Sequence, residues 1–281
     1  MRTPKSPNTT QHAATHQAPI RVGIGGWTYE PWRKTFYPSE VAQSRELDYA
    51  SRQVTSIEIN GTFYRLQKPA VFAKWHDATP EPFVFSVKAP RFIVQRKDLA
   101  SAASAVERFL SSGIIELQSK LGPILWQLAP TKAFDAKEID SFLSLLPPTA
   151  GRLPLRHALE VRHASFLDRD FLDIARRYGV AVVYEDDAIH AGFADLTSTF
   201  IYARLRSSLA SCTTGYSLAA LKQWASRAQL WATGKEPTDL PRVAPMPGPA
   251  GPPRDVFIYF INGAKERAPA AARKLISLLD A

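Results

Sequence analysis

Eight short runs rich in β-branched and aromatic residues, each closed by polar or charged ones, punctuate the chain. They are Arg21–Trp27, Ser56–Asn60, Phe83–Lys88, Pro123–Gln127, His157–Arg162, Val180–Asp186, Phe200–Arg206 and Asp255–Asn262. Most of the intervals between them carry helical spacing. Eight alternating β and α units over about 240 residues predict an α/β fold, a TIM (β/α)8 barrel of parallel strands surrounded by helices. In that architecture the strand C-termini form the active face. The charged residues that close the runs are therefore expected to converge on one mouth.

Side-chain alternation says which of them face the axis. In the second run Ile57 and Ile59 alternate with Glu58 and Asn60; in the fifth, Leu159 and Val161 alternate with Glu160 and Arg162. The helix-facing side of a barrel must be apolar, so the polar parity points inward. The same reasoning turns Lys88, Arg204 and Arg206 inward, with Tyr202 deeper. Trp27, Tyr29, Gln127, His163, Glu185, Asp186 and Asn262 fall near the rim. Gly23 and Gly25 share one side of the first run, where small residues leave room in a crowded interior.

Helices are predicted over about 44–53, from Pro69 to about Ala78, over about 99–121 with a break near Gly113, over 137–146, 168–178, 218–231 and 267–279. The interval from Glu185-Asp186-Asp187 to Thr199 has the weakest helical pattern. Residues 237–253 hold seven prolines, which predicts a stiff, structureless connector at about 232–254. It precedes the last strand and is expected opposite the mouth. Residues 1–19 are polar and aperiodic and read as a disordered tail without a secretory leader. Residues 20–281 read as a single domain.

No run of about 18 apolar residues occurs, so no membrane span is expected. The single cysteine, Cys212, excludes an internal disulfide and a cysteine cage for zinc, and fits a cytoplasmic setting. The net charge of +9 suits an anionic partner. An anionic small molecule is the first expectation and nucleic acid the alternative.

Charges facing a closed interior must be paired, hydrated or ligand-bound. Three readings follow. In the first, the protein is an enzyme acting on a phosphorylated or carboxylated small molecule or sugar. Glu58 and Glu160 would be its acid/base groups, and Trp27, Tyr29, Asn60, Lys88, Gln127, Arg162, His163, Tyr202 and Arg204 would bind the ligand. In the second, a basic rim tracks the phosphates of a nucleic acid. In the third, the glutamates and arginines neutralise one another and plug a noncatalytic scaffold. Only His163 among six histidines falls at a strand C-terminus, so a multi-histidine zinc site is not expected. A divalent cation held by carboxylates, drawn from Glu58, Glu160, Glu185 and Asp186 with His163, is the one cofactor left open.

Several ordered blocks carry a family resemblance. They include Gly25-Gly26-Trp27-Thr28-Tyr29 with Trp32, Phe36-Tyr37-Pro38, Glu58-Ile59-Asn60-Gly61-Thr62-Phe63-Tyr64 and Phe85-Ser86-Val87-Lys88. Gln127-Leu128-Ala129-Pro130, Glu160-Val161-Arg162-His163, Tyr202-Ala203-Arg204-Leu205 and Tyr259-Phe260-Ile261-Asn262 continue the pattern. Together they resemble the YecE-like proteins, a domain-of-unknown-function family, over about residues 21–281. The resemblance implies a TIM barrel and carries no activity across. The chain departs from the pattern at Gly61, where serine is usual, at Arg206-Ser207 in place of histidine-glycine, at Ile261 in place of asparagine, and in the acids Glu185-Asp186-Asp187.

Overall fold

The computed structural model describes residues 17–187, 189–190, 192–245 and 251–281. Nine parallel strands form one sheet that curls into a nearly closed barrel. They are β1 (Ile20–Gly25), β2 (Ser56–Ile59), β3 (Val84–Lys88), β4 (Leu121–Gln127), β5 (His157–Glu160), β6 (Ala181–Val182), β7 (Tyr184–Asp186), β8 (Phe200–Leu205) and β9 (Asp255–Phe260). The order around the sheet is β6-β5-β4-β3-β2-β1-β9-β8-β7. Strands β1 and β9 join its two ends in sequence, with Ile20 opposite Val256 and Ile24 opposite Phe260.

The expected sixth strand is split at Val183. Its first piece pairs with β5 and its second with β8. Across the break, the Val183 amide donates to Leu159 at 3.0 Å, and the Arg206 amide donates to Asp186 at 3.0 Å. One run of chain thus serves both of its neighbours in turn, which brings the ring close to closure.

The α-helices are α1 (Glu46–Ala50), α2 (Gly61–Tyr64), α3 (Pro69–Asp77), α4 (Arg91–Val94), α5 (Ala103–Leu110), α6 (Ala136–Ser144), α7 (Arg169–Arg177), α8 (Leu218–Ala232) and α9 (Ala268–Leu279). Their starts follow local chemistry. Asp135, Asp168 and Ser217 cap α6, α7 and α8 by accepting backbone amides. Pro69 opens α3, where its missing N–H costs nothing. The break near Gly113 is real: its φ of 111° suits glycine, and it separates α5 from a 3-10 segment over Ile114–Lys120. The expected helix over 44–53 is reduced to a 3-10 turn and the five-residue α1.

The sixth unit departs most from the sequence reading. Among the described residues no helix lies between β7 and β8. The cover over this side is built from coil instead. Thr197 accepts the Val182 amide at 2.9 Å and donates to the Val180 carbonyl at 2.7 Å, which lays the segment along β6. Proline-rich chain then packs against it. The Ala194 amide donates to Pro241 at 2.9 Å, and the Asp195 carboxylate accepts the Val243 and Ala244 amides at 2.8 and 2.9 Å. Phe193, Ala194 and Leu240 are buried there. This corrects the expected position of the connector: Pro241 and Arg242 lie beside Glu185–Asp187 at a strand C-terminus. Without a helix, apolar surface outside the sixth strand needs another cover, and proline-fixed chain supplies it at low entropy cost.

Residues 1–16 of the expected tail and residues 246–250 of the connector lie outside the described residues. From Ala18 the chain is tied down: its amide donates to Ala232, and Pro19 accepts the Val256 amide, both at 2.9 Å.

Two apolar regions follow from the strand alternation. The larger lies between sheet and helices and includes Ile57, Ile59, Phe85, Val87, Trp126, Leu159 and Ile258. The smaller fills the barrel axis with Val84, Leu125, Ala158, Phe200, Tyr202, Phe257, Tyr259 and others. Gly23 faces this axis. A Cβ there would collide with the Ser56 carbonyl oxygen and come within 3.0 Å of the Tyr259 ring. Gly23→Ala should therefore lose about 1–3 kcal/mol in urea unfolding. Gly61→Ala, which meets no atom within 4 Å, should stay within about 0.5 kcal/mol of the parent. Equal effects of the two changes would show that the axis is not tightly packed.

Candidate functional site

The barrel interior is layered. At the base, the Arg156 guanidinium lies 5.8 and 4.8 Å from the Phe200 and Phe257 ring centroids and donates to Asp255 at 2.8 Å. Above it the Tyr202 and Tyr259 rings stand 5.1 Å apart. Their hydroxyls meet Ser86 and Ser56, each at 2.7 Å. The charged layer comes next, set by the inward parity of β2, β5 and β8.

Arg204 is its centre. Its guanidinium forks onto Glu58 through Nε and Nη2, both at 3.0 Å, and Nη1 donates to Glu160. Tyr202 Oη donates to the same Glu58 carboxylate at 2.8 Å. Gln127 Nε2 donates to Glu160 at 2.6 Å, and Arg162 Nη2 lies 2.6 Å from it. Arg162 and Arg206 then bind Glu185 at 3.1 and 2.9 Å, and Arg206 also reaches Asp187 at 3.0 Å. Glu58 and Glu160 are fully buried, and Arg204 is 2% exposed.

Such burial is tolerable only because every charge has an opposite neighbour. Burial by itself would lower the affinity of Arg204 for its proton, but the Glu160 and Glu58 charges outweigh it and raise its pKa. Burial likewise pushes Glu160 upward, and Arg204 with Arg162 more than reverses this, so Glu160 is held below the usual carboxylate range. Glu185 moves the other way: burial and then the adjacent Glu160 charge raise it. Burial, then the Glu58 charge, keeps the Tyr202 phenol firmly protonated.

Above this layer opens a cavity of about 460 Å³, lined by Gly25, Asn60, Phe63, Tyr64, Lys88, Gln95, Gln127, Leu128, Ala129, Pro130, Arg162, Arg204, Phe260, Ile261, Asn262 and Lys265. No carboxylate is among these residues. Lys88, at the end of β3, is 8% exposed, and its Nζ stands 4.2 Å from the Phe63 ring centroid. Among the described residues it has no hydrogen-bonded side-chain partner and no carboxylate at ion-pair distance. Burial, reinforced by the Arg204 charge, lowers its pKa to about 8, although Glu58 and Glu160 pull the other way. Lys265 stands across the cavity with Nζ 4.5 Å from the Tyr29 ring centroid, and burial lowers its pKa too. The indole of Trp32 donates to the Lys265 carbonyl at 2.9 Å and fixes this backbone.

The residues expected at the site divide three ways. Asn60, Lys88, Gln127, Arg162 and Arg204 line the cavity together. Glu58, Glu160 and Tyr202 lie beneath its floor. Trp27 packs edge-on against Trp75 at 5.2 Å, and Tyr29 against Trp32 at 5.4 Å. His163 does not line the cavity: its Nδ1 pairs with Ser165 at 2.8 Å and caps a 3-10 turn. Lys265, Phe63, Tyr64 and Gln95 were not foreseen as site residues. The Asn262-Gly263 dipeptide marks the turn after β9, where φ is 61° and 59°, but nothing local in it points to Lys265 as a cavity residue.

The ligands considered for a divalent cation are dispersed or already paired. Glu58 and Glu160 hold Arg204, and Asp186 accepts the Tyr216 hydroxyl at 3.0 Å. Glu185, Asp187 and His190 do bring one ligand atom each within 4.8 Å of one another. Arg206 Nη1 sits between the two carboxylates, so a guanidinium already supplies the positive charge there.

These features define an α/β barrel with a cation-lined cleft at its strand C-termini. The family model described as a protein of unknown function, DUF72, matches residues 21–281, and the chain belongs to that family. It is 27% identical over 147 residues to UPF0759 protein YecE of Escherichia coli K12, covering 52% of this chain and 50% of that protein. It is 29% identical over 160 residues to UPF0759 protein YunF of Bacillus subtilis, covering 55% and 54%. These matches thus span about half the length of the curated relatives. A crystal structure of a DUF72-family protein from Thermotoga maritima superposes with a TM-score of 0.70 at 20% identity, over 94% of this chain and 100% of that one. The YecE-like resemblance and the barrel are thereby borne out.

Arg204→Met should leave the buried Glu58 without a cationic partner and Glu160 with Arg162 alone, and cost roughly 3–5 kcal/mol in equilibrium unfolding. A loss below about 1 kcal/mol would mean the network is hydrated and not structural.

Proposed function

We propose that the cleft is the active site of an enzyme acting on a small molecule that bears a phosphate or carboxylate. The observation that carries this reading is Lys88: a buried cation that, among the described residues, has no carboxylate partner and faces a cavity lined by Arg162, Arg204 and Lys265 and by no acid. A buried positive charge without a partner is costly, and an anionic ligand would relieve that cost. Asn60, Gln95, Gln127 and Asn262 add amide groups that can donate to the anion's oxygens. The lowered pKa of Lys88 also suits it to proton transfer near neutral pH. In this reading Glu58 and Glu160 act indirectly, by holding Arg204 and Gln127 in place beneath the ligand.

The scaffold reading accounts for Arg204, whose partners are all internal. It leaves Lys88 and Lys265 without a role, which favours the ligand site. Among the described residues no helix is long and apolar enough to cross a membrane. A cytoplasmic setting is part of the proposal and is supported by the unpaired Cys212.

Sulfate at millimolar concentration should raise the melting temperature of the parent by mass action, and Lys88→Met should abolish the gain. The effect has a defined pH sign. Lys88 binds an anion only when protonated, so the sulfate gain should fall as pH rises through about 8. Without anion the sign reverses. The folded pKa lies below the ordinary value of 10.5, so the unfolded chain binds more protons and this group adds stability between about pH 8 and 10.5. A parent that does not respond to sulfate, or a Lys88→Met variant that responds equally, overturns the proposal.

A further inference from the structure

A second hollow, of about 530 Å³, adjoins the cavity and shares Gly25, Asn60, Tyr64 and Lys265 with it. Its walls are of a different kind. Trp27 and Trp75 form an edge-on pair there, and Thr28, Arg65 and Gln67 supply polar groups. Among the described residues no carboxylate lines it. Tyr64 stands where the two hollows meet and is 68% exposed, with the Arg91 guanidinium 5.9 Å from its ring centroid. The Tyr64 ring contributes little to the core: it meets Phe63 edge-on at 5.3 Å and leaves most of its surface open to the two hollows.

We infer that the two hollows form one bipartite site for a nucleoside phosphate, with the phosphate in the Lys88 cavity and the base against Tyr64 in the adjoining groove. This rests on the anionic-ligand reading of the cavity and goes beyond it by naming the rest of the ligand. The groove offers an exposed aromatic face and a guanidinium, Arg65, at its edge. That combination suits a ligand that joins a planar π-system to anionic groups, because a base stacks on an aromatic ring and a guanidinium meets a phosphate. A plain sugar phosphate would use the cations and leave Tyr64 uncovered. The same chemistry is presented by a free nucleotide and by the phosphorylated end of a single strand, and Arg65 and Arg91 outside the cavity would contact further phosphates of a strand.

The test compares inorganic phosphate, ribose 5-phosphate and adenosine 5′-monophosphate on the full chain, in the parent and in Tyr64→Ala. Tryptophan fluorescence reports on Trp27 and Trp75, and melting temperature provides a second readout. Adenosine monophosphate should bind the parent about tenfold more tightly than ribose 5-phosphate, the effect of one base–aromatic stack. Tyr64→Ala should remove that preference, so that the variant binds adenosine monophosphate no more tightly than ribose 5-phosphate, while inorganic phosphate still raises its melting temperature. Equal binding of the two phosphates by the parent, or a preference that survives Tyr64→Ala, overturns the inference while the anion site stands. No response to inorganic phosphate overturns both. A 5′-phosphorylated tetradeoxynucleotide separates the sources. Affinity equal to the monophosphate identifies a free nucleotide. Tighter binding with steeper salt dependence identifies a strand end.

Discussion

Everything at the mouth of this barrel depends on Arg204. A guanidinium that is nearly inaccessible to water must be neutralised on the spot, and Glu58 and Glu160 do this from two strands separated by β3 and β4 in the ring. The fork onto Glu58 sets the plane of the guanidinium, and Tyr202 beneath locks the carboxylate that receives it. The arrangement ties β2, β5 and β8 together across the barrel. Its contribution lies more in position than in net energy, because the cost of desolvating such ions offsets much of their attraction.

The neutrality of that layer is what gives the cavity above it a sign. Glu58 and Glu160 are committed to Arg204, Arg162, Gln127 and Tyr202, so their charge is already matched where a ligand would arrive. Lys88 and Lys265 are left over. Each lies against aromatic rings and lacks a carboxylate partner among the described residues, and burial makes each a weaker base than a lysine in water. An anion entering this space meets cations that have little competing solvation, where electrostatic attraction is stronger than in bulk water.

The sixth unit shows how a barrel tolerates a missing part. Strand pairing there is shared between two short pieces, and their outer cover comes from a coil and a proline-rich segment far along the chain. The same substitution carries Pro241 and Arg242 up to Glu185–Asp187, so a connector that topology assigns to the base reaches the rim. Gly234, with φ 82°, helps close its neck: its carbonyl accepts the Gly251 amide at 2.9 Å.

The sequence by itself determined the barrel class, the strand positions and the inward set. Alternation with a period of two is a local property, and one apolar face per strand leaves a single orientation that buries it. Glu58, Lys88, Glu160 and Arg204 were legible for that reason. The break at Gly113 and the caps at Asp168 and Ser217 were equally local in origin. What only the tertiary structure decided was which charge meets which. Parity puts Arg204 and Lys88 on the same list, yet one is fully paired and the other is not, because height along the axis and side-chain reach are set by strand register and tilt. The same holds for His163, which a strand-end position favoured and a local turn claimed. It holds for Lys265, brought to the cleft by a left-handed turn, and for the proline-rich segment, placed by the vacancy it fills. Contacts between residues distant in sequence depend on packing the whole ring, and no local pattern encodes them.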